Sequence, residues 1–187
     1  MLRIVPLFCL AVLSLDTVMA QNKWKVPEDV ASIPTYVKVP AFQQVTAIPG
    51  LPRVLIVGDS ISMYYSAQVR ELLRGKANVY LIPDNARSTL YGLKNIDAWL
   101  GDGNWAVIHL NWGLHDIATW DGHPQVSITD YEANLQQLVK KLKETGARLI
   151  WGSTTPVPAG SKNREERDVL AYNAAAKKSY GRESHSH

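Results

Sequence analysis

The residue best placed for chemistry in this sequence is Ser60, which follows a predicted buried strand and opens a predicted helix. The apolar, β-branched run from Arg53 to Val57 stops at Gly-Asp-Ser60. A serine there lies at the carboxyl edge of a sheet, beside the unpaired N–H groups and partial positive charge of a helix N-terminus. N–H groups aimed at a developing oxyanion are usually the largest catalytic contribution in acyl transfer, so the pattern is compatible with a nucleophilic serine. The tripeptide by itself favours the simpler alternative, an ordinary helix cap.

A second strand-to-turn segment, Val107 to Asp116, ends in Gly113-Leu-His-Asp. Together the two segments resemble the GDSL/SGNH hydrolase family (SGNH hydrolase-type esterases). In that family Gly-Asp-Ser opens the first sequence block and Gly-x-Asn-Asp ends the third strand. The resemblance runs from about Arg53 to about Tyr172.

The resemblance implies a role for each matching residue. Ser60 would be the nucleophile, and its own backbone N–H would contribute to the oxyanion site. Asp59, Gly113 and Asp116 would support the site.

The third block departs from the family at His115, where the family has an asparagine that donates a side-chain N–H to the oxyanion. A neutral imidazole carries one N–H and can substitute as the donor, with its tautomer set by whatever binds the other nitrogen. The alternative is a structural histidine that is bonded to a nearby backbone carbonyl. The sequence leaves both interpretations open.

The loop after the second strand, from Pro83 to Thr89, departs as well, because it lacks the glycine whose N–H is another oxyanion donor in the family. Ala86 or Arg87 could donate instead, although a positive φ costs these residues more than it costs glycine. Arg87 has two further interpretations: it holds an anionic group of the substrate, or it is a solvated loop charge.

The family's general base lies in an Asp-x-x-His block near the C-terminus, and no such block occurs in these 187 residues. A serine without a positioned base is a weak nucleophile. His185 and His187 are poor candidates for the base, because they lie in a short polar segment with no strand before it. The sequence therefore resembles a family member that is cut short before this block.

Two functions follow from this reading. The first is a secreted serine esterase or deacetylase that acts on ester or O-acetyl groups, including those of carbohydrates. The second is a catalytically impaired relic or binding protein.

Composition narrows the range of partners. Lysine and arginine number 20 against 17 acidic residues, without a basic stripe, which argues against nucleic acid. The single cysteine, Cys9, lies in the N-terminal apolar segment, so the mature chain is expected to have no disulfide. The five histidines lack the paired spacing of a zinc site. We expect no metal and no cofactor, and a monomer that acts on a small-molecule or carbohydrate ester.

The N-terminus reads as a signal peptide over residues 1–20, with a charged start and an apolar core from Ile4 to Leu15. That core is too short to span a membrane. We therefore expect a secreted or periplasmic protein with no membrane association after cleavage. Residues 21–52 read as an extended leader, residues 53–180 as the SGNH hydrolase-like domain, and residues 181–187 as a disordered tail.

The elements that must position these residues alternate between strand and helix patterns. The alternation predicts an α/β fold: a three-layer α/β/α sandwich with a parallel, flavodoxin-like sheet that lacks the family's last strand. Predicted strands lie at 53–57, 79–82, from 107, and at 148–153; predicted helices lie at 61–73, 90–100, from a capping box at Thr129 to Glu132 as far as Gly146, and at 164–179.

Residues 117–126 read as a long loop beside the site. Trp112 and Trp120 flank the Gly113 to Asp116 turn. Either they offer aromatic faces to a sugar ring or, as their size favours, they anchor the core.

Overall fold

The structure is a computed structural model that describes residues 40–184, with side chains described as far as residue 180. Its central sheet contains four parallel strands in the order β2-β1-β3-β6: β1 (Arg53–Val57), β2 (Asn78–Leu81), β3 (Val107–Leu110) and β6 (Arg148–Trp151). Four helices flank it: α1 (Ser60–Leu72), α2 (Thr89–Leu100), α3 (Ile128–Glu144) and α4 (Glu166–Ser184). The predicted α/β fold with a parallel, flavodoxin-like sheet is confirmed.

The sheet is buried on both faces at its centre, which explains why β1 reads as a continuous apolar run. Leu55, Ile56 and Val57 are almost fully buried. Leu55 lies in register with Tyr80 on one side and Ile108 on the other. The strand that precedes Ser60 is therefore held between two neighbours and covered by helices.

The core divides into two clusters, one on each face of the sheet. The larger cluster packs α2, α3 and α4 against the sheet and includes Trp99, Trp112 and Tyr131. The smaller cluster lies under α1 and includes Ile56 and Met63.

The end of the predicted leader packs against the smaller cluster. Ala41, in a short 3-10 helix (Pro40–Phe42), is buried there. Arg70 of α1 donates to the carbonyls of Pro40, Ala41 and Val79. The predicted signal peptide, Cys9 and the leader before residue 40 lie outside the described residues.

Helix α3 is capped two residues before the predicted capping box. Its N-cap is Ser127, whose hydroxyl accepts from the Asp130 N–H at 3.1 Å and donates to the Asp130 carboxylate at 2.7 Å. Thr129 is already inside the helix and exposed. The predicted box from Thr129 to Glu132 was therefore wrong, because the Ser-x-x-Asp box two residues earlier takes its place.

The segment predicted as a long loop contains a small β-hairpin. Strands β4 (Thr119–Trp120) and β5 (His123–Pro124) pair antiparallel. Asp121 and Gly122 connect them with positive φ values of 54° and 81°. Asp-Gly is a preferred sequence for such a two-residue turn, so the signal for a hairpin was present in the sequence.

The last helix is longer than predicted. It continues past Ser179 to Ser184, so residues 181–184 of the predicted disordered tail are helical. His185 and His187 lie outside the described residues.

Strand β6 is an edge strand of the described sheet, with β3 on one side of it. On its other side the Leu149 carbonyl accepts from the Tyr180 hydroxyl of α4 at 2.8 Å. No strand follows β6 within residues 40–184, in agreement with the predicted four-stranded sheet. In this part of the chain, none of the helices is long and apolar enough to cross a membrane.

Candidate active site

Ser60 is the first residue of α1, at the carboxyl edge of β1. The preceding Asp59 caps the helix, and its carboxylate accepts from the Ile61 N–H at 2.9 Å. A Cβ on Gly58 would lie 2.9 Å from the Ser62 Cβ, so glycine allows the helix to start this close to the strand. Ser60 itself is half-buried. The Gly-Asp-Ser sequence thus presents a serine at the N-terminus of a helix, as the sequence predicted.

Hydrogen bonds tie the turns after β1, β2 and β3 together. The Ala86 N–H donates to the Gly58 carbonyl at 3.0 Å, which joins the second turn to the first. The Thr89 N–H and hydroxyl donate to the Asp116 carboxylate at 2.9 and 2.6 Å, which joins the second turn to the third. The segments that carry Ser60, Arg87 and His115 therefore meet at one edge of the sheet.

The two predicted backbone donors of the second turn differ in availability. Ala86 is buried and its N–H donates to the Gly58 carbonyl, so in this structure that N–H is not available to an oxyanion. Arg87 has a φ of +48°, the conformation expected of glycine at this place. Its N–H donates to the Asn85 side-chain oxygen at 2.8 Å, so it reaches a substrate only if that side chain rotates away.

Gly113 sets the path of the third turn. Its φ is +143°, and a Cβ there would overlap the Thr154 hydroxyl. That hydroxyl donates to the Trp112 carbonyl at 2.9 Å, and Tyr131 donates to the same oxygen at 3.0 Å. The glycine thus lets the loop after β6 pack directly on the turn that carries His115.

His115 is half-buried, and its environment favours the neutral imidazole. Burial lowers its pKa from the usual value, and the positive charges of Arg164 and Arg87 lower it further. The charge of Asp59 opposes them and raises the pKa. A neutral ring beside the Ser60 turn carries the single N–H that an oxyanion donor needs.

Asp116 is fully buried, and its carboxylate connects the third turn of the site to the second. Burial raises its pKa to about 6, against the hydrogen bonds from Thr89, which lower it. One carboxylate oxygen accepts both Thr89 bonds, and the other oxygen has no hydrogen-bond partner among the described residues. Thr89 also accepts from Asn134 of α3, so Asp116 and Thr89 fix the N-terminus of α2 relative to the His115 turn.

A cavity of about 180 Å³ opens beside Ser60 on the α1 face of the sheet. His109 lies in it, within 3.5 Å of the Tyr65 hydroxyl, and burial lowers the pKa of His109. His109 is in register with Ile56, below the sheet edge that carries Ser60. The lining residues are Asp59, Ile61, Ser62, Tyr65, His109, Asn111, Leu114, Gly152, Ser153 and Thr155.

The two tryptophans that flank the third turn have different environments. Trp112 is buried and its indole N–H donates to the Ala86 carbonyl at 3.2 Å, so it belongs to the core. Trp120, in the hairpin, is 65% exposed. Of the pair, Trp120 alone offers a face to a ligand.

Three polar residues without a predicted role position the site. Asn173 clamps the loop after β6, because its side chain accepts from the Thr154 N–H and donates to the Thr154 carbonyl. Asn111 donates to the Gly152 carbonyl at 2.7 Å. Arg164 donates through Nε to the Leu114 carbonyl at 2.6 Å. Arg164 lies 50 residues from Leu114 along the chain, so no local pattern could have found this contact.

Among residues 40–180, no group accepts a hydrogen bond from the Ser60 hydroxyl, so no general base is bonded to the serine in this structure. Residues 40–180 also contain no group of three or more metal-ligating side chains that could hold a metal ion.

Comparison with solved structures shows that the chain has the α/β fold of SGNH/GDSL esterases and acylhydrolases. An acetyl xylan esterase matches with a TM-score of 0.60 and 16% identity over 71% of this chain and 74% of its own. A lipase/acylhydrolase from Enterococcus faecalis matches with a TM-score of 0.62 and 12% identity over 72% and 73%. A GDSL-like lipase from Bacteroides thetaiotaomicron matches with a TM-score of 0.58 and 14% identity over 83% and 75%. At these identities the likeness establishes the fold.

No protein-family model matches the sequence, and no curated protein matches it significantly.

Proposed function

We propose that this protein is an SGNH-type carboxylic-ester hydrolase that acts on ester or O-acetyl groups, with Ser60 as the nucleophile. The observation that carries the proposal is the position of Ser60 at the N-terminus of α1, where the turns of Arg87 and His115 meet it. An acyl-transferring serine needs this arrangement, because the helix N–H groups and an imidazole N–H can stabilise the negative oxygen of the tetrahedral intermediate.

In the proposed reaction, the Ser60 Oγ attacks the ester carbonyl and the alcohol leaves with a proton. Water then hydrolyses the acyl-enzyme. The Ser60 N–H and the His115 ring N–H are the proposed oxyanion donors, and the Arg87 N–H joins them when Asn85 releases it. Asp59 and Asp116 support the site by capping α1 and by fixing α2.

The proposed substrate is an acylated carbohydrate. Trp120 supports it, because an exposed indole face at the end of the third turn suits stacking on a sugar ring. One neighbour in fold is itself an acetyl xylan esterase. We further propose that residues 1–20 direct the protein to secretion or to the periplasm, and that it acts there as a monomer.

A binding protein without turnover is the second candidate function. The lack of a hydrogen-bond acceptor for the Ser60 hydroxyl within residues 40–180 favours it, because an unactivated serine is a poor nucleophile. The two candidates differ in one measurable property: only the first predicts ester hydrolysis that depends on Ser60.

The test is hydrolysis of p-nitrophenyl acetate by the 187-residue chain and its Ser60→Ala variant. We expect slow hydrolysis in the parent chain, of the order of a thousandfold over water, since residual catalysis of this size survives loss of a triad member in a serine protease. Ser60→Ala should reduce it to the uncatalysed rate. Ser66→Ala is the matched control, because Ser66 lies on the same helix, its hydroxyl bonds the Met63 carbonyl, and it does not line the cavity.

Equal rates in the parent chain and the Ser60→Ala variant would refute the esterase proposal. A Ser60-dependent rate of many orders of magnitude would show that a base is present. Substituting His115, His123 and His109 by alanine, one at a time, would then identify it.

A further inference from the structure

We propose that the candidate site selects esters that carry a negatively charged group, and that Arg87 and Arg164 bind this group. The inference rests on the proposed esterase function and narrows its substrate class. The two arginines would determine which ester binds, whereas Ser60 would cleave it.

Arg164 is held against the turn that carries His115. Its Nε donates to the Leu114 carbonyl at 2.6 Å and its Nη1 donates to the Asn163 side chain at 3.1 Å. These two bonds fix the plane of the guanidinium and leave its other N–H groups for a ligand. The effect of Arg164 on the pKa of His115 agrees with this proximity.

Arg87 is held on the neighbouring turn in a strained backbone conformation. Its φ of +48° lies in the left-handed region, where glycine would carry no strain. The other described non-glycine residue with positive φ, Asp121, belongs to the hairpin turn, which requires such a conformation. Strain of this kind clusters at functional sites, so an arginine in place of glycine points to a use for the side chain.

The side chain of Arg87 is exposed but not loose. Its guanidinium lies 4.5 Å above the Tyr91 ring, and the Tyr91 hydroxyl donates to Asp84 at 2.6 Å. A stacked guanidinium is partly ordered before a ligand arrives, which reduces the entropy lost on binding.

Neither arginine forms an ion pair with an acidic side chain of residues 40–180. The nearby carboxylates of Asp59, Asp84 and Asp116 are buried, and each accepts hydrogen bonds from its own surroundings. The two turns that carry Arg87 and Leu114 therefore each hold an arginine whose positive charge is not paired with an acidic side chain of residues 40–180. Charged groups without partners at the edge of a cleft attract ligands of opposite charge.

The hairpin adds a second recognition element next to Arg164. The Thr119 N–H donates to the Asn163 carbonyl at 2.8 Å, which joins the hairpin to the segment before Arg164. The exposed Trp120 follows directly. An aromatic face beside arginines suits an acidic sugar, whose ring stacks while its carboxylate or sulfate pairs with a guanidinium.

The test compares two sugar esters that differ in one group. O-Acetylated methyl galacturonoside carries a carboxylate where O-acetylated methyl galactoside carries a hydroxymethyl group. We expect the parent chain to favour the uronic ester about tenfold in kcat/KM, the size of effect typical of one charge-assisted contact. The preference should weaken as salt is added, because the arginines are accessible to solvent. A 6-sulfated galactoside ester in a third arm distinguishes sulfate from carboxylate.

Arg87→Gln and Arg164→Gln should each reduce the preference, because each raises KM for the acidic ester more than it raises KM for the neutral ester. Arg87→Lys should restore part of it, since lysine keeps the charge without the planar guanidinium. Arg74→Gln is the control, because Arg74 is a surface arginine just after the C-terminal end of α1, paired with Glu71.

Ser60-dependent hydrolysis with no preference among the three esters would overturn this inference and leave the proposed function intact. If no ester is hydrolysed, the proposed function fails. Binding of the deacetylated sugars, monitored by tryptophan fluorescence, then tests whether the site recognises anions. Tighter binding of the acidic sugars that is lost in Arg87→Gln supports anion recognition, and equal binding of all three refutes it.

Discussion

At the scale of single residues, Asp116 shows burial and hydrogen bonding acting against each other on one carboxyl group. Burial raises its pKa to about 6, although Thr89 donates two hydrogen bonds to it. The oxygen without a described partner explains why burial wins. Burying the charged carboxylate costs free energy, and the oxygen without a hydrogen bond does nothing to offset that cost.

This balance predicts how stability depends on pH. Because the folded pKa lies above the unfolded value of 3.8, Asp116 stabilises the fold fully below about pH 4. That contribution disappears as the pH rises through about 6. Each pKa unit corresponds to about 1.4 kcal/mol, so the expected loss is on the order of 2–3 kcal/mol.

Urea unfolding of the parent chain and of Asp116→Asn at pH 4, 5, 6 and 7 checks this prediction. The stability of the parent relative to the variant should fall from pH 4 to pH 7. The exposed Asp121→Asn variant should follow the parent at every pH. A parent that gains stability over Asp116→Asn as the pH rises would contradict the assignment.

At the scale of elements, the start of α3 depends on one side chain. Ser127 caps the helix and pairs with Asp130, whereas the predicted cap Thr129 lies inside it. Both residues are exposed, so replacing either one by alanine removes little packing and tests mainly its capping role.

Ser127→Ala should therefore lower the free energy of unfolding by about 1 kcal/mol, the usual cost of losing a serine cap. Thr129→Ala should leave stability unchanged or raise it slightly, because alanine has the higher helix propensity. Thermal unfolding of both variants distinguishes the two caps. A larger loss for Thr129→Ala would restore the capping box that the sequence suggested.

At the scale of the whole molecule, the sheet ends at β6 within the described residues. Ile150 lies on the same face of the sheet as His109, because the two are in register, and it is 45% exposed. An edge strand beside a partly uncovered apolar face promotes association between chains.

We therefore predict that the chain, which we propose acts as a monomer, self-associates at high concentration. Ile150→Lys should reduce this association with little change in the stability of the monomer. Sedimentation velocity over a range of concentrations measures it. Leu72→Lys is the matched control, because Leu72 is also exposed but ends α1, away from β6. Association that is equal in the parent chain and both variants would exclude this edge as its cause.

The sequence by itself determined the parts of the molecule that depend on local pattern. The apolar run of β1, the Gly-Asp-Ser turn and the strand–helix alternation predicted the fold and the position of Ser60. These features can be predicted from the sequence because the periodicity of apolar residues, helix caps and glycine turns depends on residues close together in the chain. The Asp-Gly hairpin had the same kind of signal and was missed, whereas two adjacent capping sequences competed at the start of α3.

Only the tertiary structure decided how the site is completed, because its decisive contacts join residues distant in sequence. In the structure the Ala86 N–H donates to the Gly58 carbonyl, which leaves the Arg87 N–H as the remaining candidate donor of the turn after β2. The tertiary structure placed Arg164 against Leu114, 50 residues away, and buried Trp112 while leaving Trp120 exposed. Residue type and spacing carry no information about such pairings, since they follow from how the helices pack on the sheet and not from any one segment.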